Sequence, residues 1–401
     1  MTRPLHGLRV LDLTRLLPGP FATLVLADLG AEIIKIEEPQ GGDYARHFPP
    51  LGGRMSAVFA ALNRDKRGIA LDLKRPEAHA VLLRLVATAD VLVESFRPGV
   101  LDRLGLDWAT LHAANPRLIL CGISGFGQTG PLALRAGHDL NYLAIAGLAG
   151  LTGHDGAVIQ PGIQAADIAG GALYGVIGIL AALQQRATTG LGQRVDASMT
   201  DGVAGLGLMV HAREALTGRP TGPGEDDLAG GRLCYRTWCC ADDRWLAVGA
   251  LEPKFWGALC QAVGRPDLMP AGYAEGARRA KAEAELQLLF ASRTRDAWVA
   301  LLADHDVCVE PVLSPAEARE HPHAAARGLF GRHPHPGEKA EFFHQFPNPM
   351  LLPDHPPPAV VQPAPQLGQH TAEVLASLGY TDQELAALAA SGAIKLRPPT
   401  A

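Results

Sequence analysis

Short apolar runs alternate with amphipathic stretches through the first third of the chain. Residues 8–13 (LRVLDL) form a strand-length run, Pro18-Gly19-Pro20 breaks it, and residues 21–29 (FATLVLADL) read as a helix ended by Gly30. Residues 32–37 (EIIKIE) make a second strand and 67–73 (RGIALDL) a third. A helix over 76–88 leads into a strand at 91–94, and 118–123 (LILCGI) adds another. Strands alternating with helices predict a mainly parallel sheet covered on both faces, an α/β domain of Rossmann-like type.

The pattern then changes. Residues 168–187 form a long helix rich in small side chains, opened by Asp167 and closed by Gly190 and Gly192. Residues 195–199 begin a segment that continues as a helix to about 217. The glycine- and acid-rich stretch 218–231 marks a boundary. Beyond it, 235–240 and 245–249 read as a β-hairpin turning at Asp242-Asp243, followed by helices at 253–263, 280–292 and 294–303. The expected organisation is a large domain over 1–217 and a small α+β domain over 218–313. An extended segment with helices over 314–401 then returns to the large domain. Residues 347–365 are too rich in proline for regular structure, while 368–388 read again as helical.

Composition narrows the partners. The chain has 401 residues, 47% of them apolar and 19% charged, with a formal net charge of −5. That fits a globular protein and gives no reason to expect nucleic acid; a polyanionic ligand would need a local basic patch. The six cysteines include no C-x-x-C pair, which suits reduced thiols in a cytoplasmic protein. The first residues lack a signal-like apolar run. The longest apolar stretch, 168–183, holds four glycines and is short for a bilayer span. A soluble chain without a membrane partner is expected.

Four groups of residues could carry chemistry. Gly137-His138-Asp139 sits before an apolar helix, after the glycine-rich turn 124–130 (SGFGQTG). A helix start disfavours positive charge, which suits a proton-accepting imidazole, and its N–H groups can face an oxyanion. Asp167 precedes Gly170-Gly171, which leave room for a ligand, although an ordinary N-cap explains it equally well. Glu252 lies just before a helix in VGALEPKF. Arg64, Lys66, Arg97 and Arg103 flank strands of the large domain, where ligands of parallel sheets bind and where basic groups suit phosphates. A nicotinamide site is disfavoured because the first turn reads TRLLPGP without the glycine fingerprint, and a P-loop lacks its Gly-Lys-Ser/Thr. The histidines of the tail lie in irregular chain without metal-ligand spacing, so no metal site is expected.

Together the segments resemble the class III CoA-transferase (CaiB/BaiF-type) family, which includes formyl-CoA transferase and α-methylacyl-CoA racemase. The resemblance rests on LDLTRLLPGP, DLGAEIIKIEEP, NRDKR, VLVESFRPGVLDRLGL, ISGFGQTGP, DIAGG, GQRVDASMTDG and LGQHTAEVLASLGY in fixed order. It implies an acyl-CoA substrate and no cofactor beyond the CoA moiety. It also implies a homodimer of interlocked chains, a wrapping role for 347–365, and CoA contacts from Arg97, Arg103, Arg64, Lys66 and Gly125. In the transferases of the family an aspartate matched by Asp167 attacks the thioester, and Tyr-Asp usually stands where this chain has His138-Asp139. GHDLNY together with VGALEPKF resembles the racemase branch instead. There His138 and Asp167 would be the two bases, Glu252 would hydrogen-bond His138, and the N–H of Asp139 would face the enolate oxygen. The expected reaction is interconversion of (R)- and (S)-2-methylacyl-CoA, with CoA transfer through Asp167 as the alternative.

Overall fold

The computed structural model describes residues 3–52, 55–154, 156–334, 342–345, 350, 352 and 362–397. The chain divides into two compact units. The first comprises Met1–Ala146, Ile163–Leu206 and His323–Ala401; the second comprises Gly147–Gly162 and Gly207–Pro322.

The first unit is built on six parallel strands: β1 (Arg9–Asp12), β2 (Glu32–Glu37), β3 (Lys66–Ala70), β4 (Val91–Glu94), β5 (Ile119–Ser124) and β6 (Arg194–Ser198). Their order is β6-β5-β4-β1-β2-β3. The direction of winding therefore reverses between β1 and β4, the point in such sheets where ligands bind beyond the strands' carboxyl ends. Pro18-Gly19-Pro20 does not merely end the first strand. It forms the first turn of helix α1 (Pro18–Asp28), where proline's missing N–H costs nothing. In α2 (Ala57–Asn63) the Ser56 side chain accepts from the Val58 and Phe59 N–H groups. Helix α3 (Pro76–Val86) buries Ala78, Val81, Leu82, Leu85 and Val86, the spacing of a single helical face. That face packs on Leu11, Ile34, Ile69 and Leu92 of the sheet, with Val374, Leu375, Leu385 and Ile394 from the C-terminal helices in the same core.

The sequence did not show β6 as a strand. Its side chains alternate between exposed and half-buried at Arg194, Val195 and Asp196, as an edge strand permits, so no apolar run marks it. The long helix also differs from expectation. It opens with a π-helical stretch, Ala166–Leu173, and becomes a regular α-helix, α6, at Tyr174–Thr189. The stretch Ala166–Thr189 is apolar and long enough to cross a membrane by composition alone. Here two of its glycines face the sheet: a Cβ at Gly175 would lie 3.3 Å from Ile123, and one at Gly178 would lie 2.5 Å from Val195. One face of the segment is thus packed on the sheet, while Leu173, Tyr174 and Ile177 are exposed on this chain.

The C-terminal return is seen from residue 362. Gln362 exchanges backbone and side-chain hydrogen bonds with Asp65, and Thr371 Oγ1 accepts from the Ala70 N–H at the sheet edge. The proline-rich stretch 347–361, apart from Met350 and Leu352, lies outside the described residues.

The second unit holds the expected hairpin, β7 (Tyr235–Cys239) and β8 (Trp245–Gly249), joined by a third antiparallel strand, β9 (Val309–Pro311). Its core is aromatic: the Phe290 ring lies 5.4 Å from Trp238 and 5.6 Å from Trp298. The division between units differs from the expected 217/218 and 313/314. It falls after Leu206, because Gly207 packs so closely on Leu148 and His211 that a Cβ would meet Leu148 at 2.5 Å. That contact also explains why Gly147–Gly162 belongs with the second unit. At the other end, Glu317 pairs with Arg295 and Arg244, which keeps 314–322 in the second unit.

Candidate active site

Three neighbouring strands of the first unit deliver the site. Beyond β4 the chain turns through Ser95, Phe96 and Arg97. Beyond β5 it enters the glycine-rich turn at Gly125, and β6 leads directly into helix α7 (Met199–Leu206). Helix α5 (Asp139–Ile145) follows that turn, with His138 as its N-cap residue in extended backbone (φ −133°, ψ 174°). The His138 N–H donates to Asn141 Oδ1 at 3.0 Å, and the His138 carbonyl accepts from the Asn141 N–H at 2.8 Å. These bonds fix the backbone at the helix start and leave the imidazole exposed.

One residue of the GHDLNY segment did not stand out in the sequence. Tyr142 is only 6% exposed, lies edge-on to Phe126 at 5.1 Å, and donates its hydroxyl to the Gly137 carbonyl at 2.5 Å. It therefore pins the residue just before His138. Burial first, and the Asp167 charge next, push the Tyr142 hydroxyl up to about 12, so it remains a donor. Two glycines make room for its ring. A Cβ at Gly125 would lie 2.4 Å from the ring and one at Gly137 would lie 2.7 Å from it. At Gly125, expected as a CoA contact, the space a side chain would take is filled by the Tyr142 ring. The signal available in the sequence was a tyrosine following two glycine-bearing turns.

Asp139 and Asp167 are brought together. Asp139 Oδ1 accepts the main-chain N–H groups of Ala166 at 2.7 Å and Asp167 at 2.9 Å, so a carboxylate from α5 caps the π-helical stretch. Asp167 is then not an N-cap residue; its side chain is left for other work. Burial, and after it the Asp139 charge, push the Asp167 carboxyl up to about 7. Its place is set by backbone contact with α7. A Cβ at Gly170 would lie 2.5 Å from the Met199 carbonyl oxygen, and one at Gly202 would lie 2.1 Å from that of Gly170.

The basic residues separate into two groups. Arg97 is exposed and its charge is felt at the Tyr142 hydroxyl, which places it beside the site. Arg103 is exposed on the short helical turn after Gly99, with its guanidinium near that glycine. Arg64 and Lys66 are corrections. Arg64 has a side chain only 4% exposed and pairs with Asp28 at 2.5 and 2.8 Å and with Asp65 at 2.8 Å. Lys66 opens β3, at the amino end of its strand, and is wholly buried. Its ammonium donates to Asp12, Thr23, Asn63 and the Pro20 carbonyl, all between 2.8 and 3.1 Å. A phosphate would have to displace these partners, so both residues hold the fold rather than a ligand.

Glu252 lies in the second unit as the N-cap residue of α8 (Pro253–Ala262). Its carbonyl accepts from Phe255 and Trp256, and its side chain is exposed.

The arrangement offers a proton acceptor, a carboxyl that holds a proton near neutrality, and arginines at the carboxyl ends of a parallel sheet. A family model described as CoA-transferase family III matches residues 5–371. The chain belongs to CoA-transferase family III. It is 36% identical to the α-methylacyl-CoA racemase of Homo sapiens, over 95% of each chain. It is 35% identical to the formyl-CoA:oxalate CoA-transferase of Rhodopseudomonas palustris, covering 100% of this chain and 99% of that one. Among solved structures, a CAIB/BAIF family protein from Brucella suis superposes with a TM-score of 0.81 at 33% identity, over 94% of this chain and 100% of that one. Membership makes the protein an acyl-CoA-using enzyme with the Rossmann-like and small α+β units described above.

Proposed function

We propose that this family III enzyme racemises 2-methylacyl-CoA thioesters. The observation that carries the reading is the junction of two helices: Asp139, which follows His138, accepts the Asp167 N–H at 2.9 Å, and burial with the Asp139 charge pushes the Asp167 carboxyl up to about 7. An acid that exchanges its proton near working pH suits proton transfer. In one direction the neutral His138 imidazole takes the α-proton and the C–H electron pair moves onto the thioester oxygen as an enolate. The Asp167 carboxyl then returns a proton to the opposite face of the α-carbon. The Asp139 main-chain N–H, at the first position of α5, is assigned to the enolate oxygen; such donors contribute about 3–4 kcal/mol to a transition state. Arg97 and Arg103 are assigned to the CoA phosphates. Glu252 is assigned through the likeness of VGALEPKF to the racemase pattern, as the partner of the imidazolium. The working form in this reading is a homodimer in the cytoplasm, with no cofactor beyond CoA itself.

A second reading has its own support. The matched family is described by its transferases, and one of the relatives above transfers CoA from formyl-CoA to oxalate. In that reaction the ionised Asp167 would attack the thioester carbonyl to give a mixed anhydride and CoA thiolate. The thiolate would attack the Asp167 acyl carbon and expel the donor acid. The acceptor carboxylate would displace the thiolate from that thioester to give a second anhydride, whose acceptor acyl group the thiolate then takes, freeing Asp167.

One experiment separates the two. The protein is incubated with a single enantiomer of a 2-methylacyl-CoA in D2O without an acceptor acid. Racemisation gives α-deuterium incorporation with loss of optical purity. Absence of exchange, with CoA transfer once a carboxylic acid is added, sinks the racemase reading and establishes the second.

A further inference from the structure

We propose that Glu94 is a positioning residue, a buried carboxyl that fixes the Ser95–Arg97 turn and thereby sets the affinity for CoA. The inference rests on the assignment of Arg97 to the CoA phosphates. Glu94 ends β4 and is only 7% exposed, and no cation pairs with it among the described residues. A carboxyl in such a place lowers stability unless it is hydrogen-bonded. Its Oε2 accepts the Phe96 N–H at 2.7 Å, which turns the chain out of the strand one residue before Arg97. The neighbouring Ser95 Oγ accepts the Arg15 N–H at 3.2 Å, so the turn is held from β4 and from the β1 loop alike.

The other side of the carboxyl reaches toward the glycine-rich turn. Glu94 stands opposite Gly122 in the sheet register. A Cβ at Gly122 would lie 2.7 Å from Glu94 Oε1 and 2.8 Å from Gln128 Nε2, so the missing side chain is what lets both polar groups sit over β5. Gln128 Nε2 is buried without a hydrogen-bond partner, while the Gln128 main-chain N–H donates to Asp196 Oδ2 of β6 at 3.0 Å. The Glu94 carboxyl and the Gln128 amide thus share the space left over Gly122, and Gln128 is held to β6 through its main chain.

The charged and titratable groups facing Glu94 are Asp196 from β6, Asp102 from the turn beyond Gly99, and the buried Cys121 thiol of β5. Burial first, with Asp196 and Asp102 adding to it, pushes the carboxyl up to about 7 against the Phe96 N–H. The ionised form accepts that N–H more strongly. The turn is therefore held more firmly above about pH 7 than below it.

The test compares wild type, Glu94→Ala, Glu94→Gln, Arg97→Ala and the Glu94→Ala/Arg97→Ala pair. CoA binding is measured by calorimetry and acyl-CoA turnover at several pH values. Glu94→Ala is expected to weaken CoA binding and raise KM about tenfold, with kcat within about twofold, the scale of one charged hydrogen bond. Glu94→Gln, which keeps an acceptor for Phe96, restores most of the loss and flattens the rise of KM at low pH expected of wild type. Because both residues act through one contact, the double variant binds CoA no more weakly than Arg97→Ala alone. Additive losses, or a fall in kcat at unchanged KM, overturn the proposal. Should Glu94→Ala fail to fold, the Glu94→Gln pH profile decides, and one that parallels wild type overturns it. If Arg97→Ala leaves CoA affinity unchanged, the assignment of Arg97 falls instead.

Discussion

The Asp139 carboxylate accepts the main-chain N–H of Asp167 at 2.9 Å, so the helix that begins with the proposed base also caps the helix that carries the proposed acid. Asp139 raises the Asp167 carboxyl without touching its side chain through any hydrogen bond that the structure shows. Charge and capping can be separated here. In Asp139→Asn an oxygen still accepts the two N–H groups, but the negative charge is gone. Asp167 should then titrate nearer its ordinary range. In the direction that needs protonated Asp167, wild-type activity should fall as pH rises through about 7. In the variant that fall should begin at lower pH, as a kcat profile between pH 5 and 9 will show.

His138→Ala should lower α-deuterium exchange by about 10²–10⁴-fold, the usual contribution of a positioned general base. Binding of CoA itself, followed by calorimetry, should stay within about twofold, because the imidazole makes none of the contacts assigned to the phosphates. A variant that still exchanges at the wild-type rate would remove His138 from the mechanism.

Tyr142 is expected to act through the backbone. Tyr142→Phe removes the bond to the Gly137 carbonyl and should destabilise the protein by about 1 kcal/mol, with a fall in kcat larger than any change in KM. Gly125→Ala drives a methyl group into the ring and should be the more damaging change, by about 1–3 kcal/mol. Denaturant titration ranks the two.

Lys66→Ala tests the removal of Lys66 from the ligand site. It strands the buried Asp12 carboxylate, held low by Lys66 and Lys35 against its burial, and should destabilise the fold by about 3–5 kcal/mol. At a temperature where the variant remains folded, its KM for an acyl-CoA should equal that of wild type. A large KM increase would return Lys66 to the phosphates.

The strands β2 and β4 and the hairpin were legible because a buried strand reads as an unbroken or alternating apolar run whatever surrounds it. Arg64 and Lys66 were misread for the opposite reason. A basic cluster beside a strand looks like a phosphate site until Asp12, Asp28 and Thr23, far away in sequence, are seen closing over it. His138, Asp139 and Asp167 stood out through local residue pattern and family likeness, whereas the capping role of Asp139 depends on a contact across 28 residues. The affiliation of Gly147–Gly162 with the second unit rests on packing around Gly207 that no local pattern announces.

The joint at Asp139 also concentrates two duties in one carboxylate. It seats the start of the helix that carries Asp167, and its charge adds to burial in raising the Asp167 carboxyl. A change at position 139 is therefore felt twice, once in where the acid stands and once in how readily it keeps its proton.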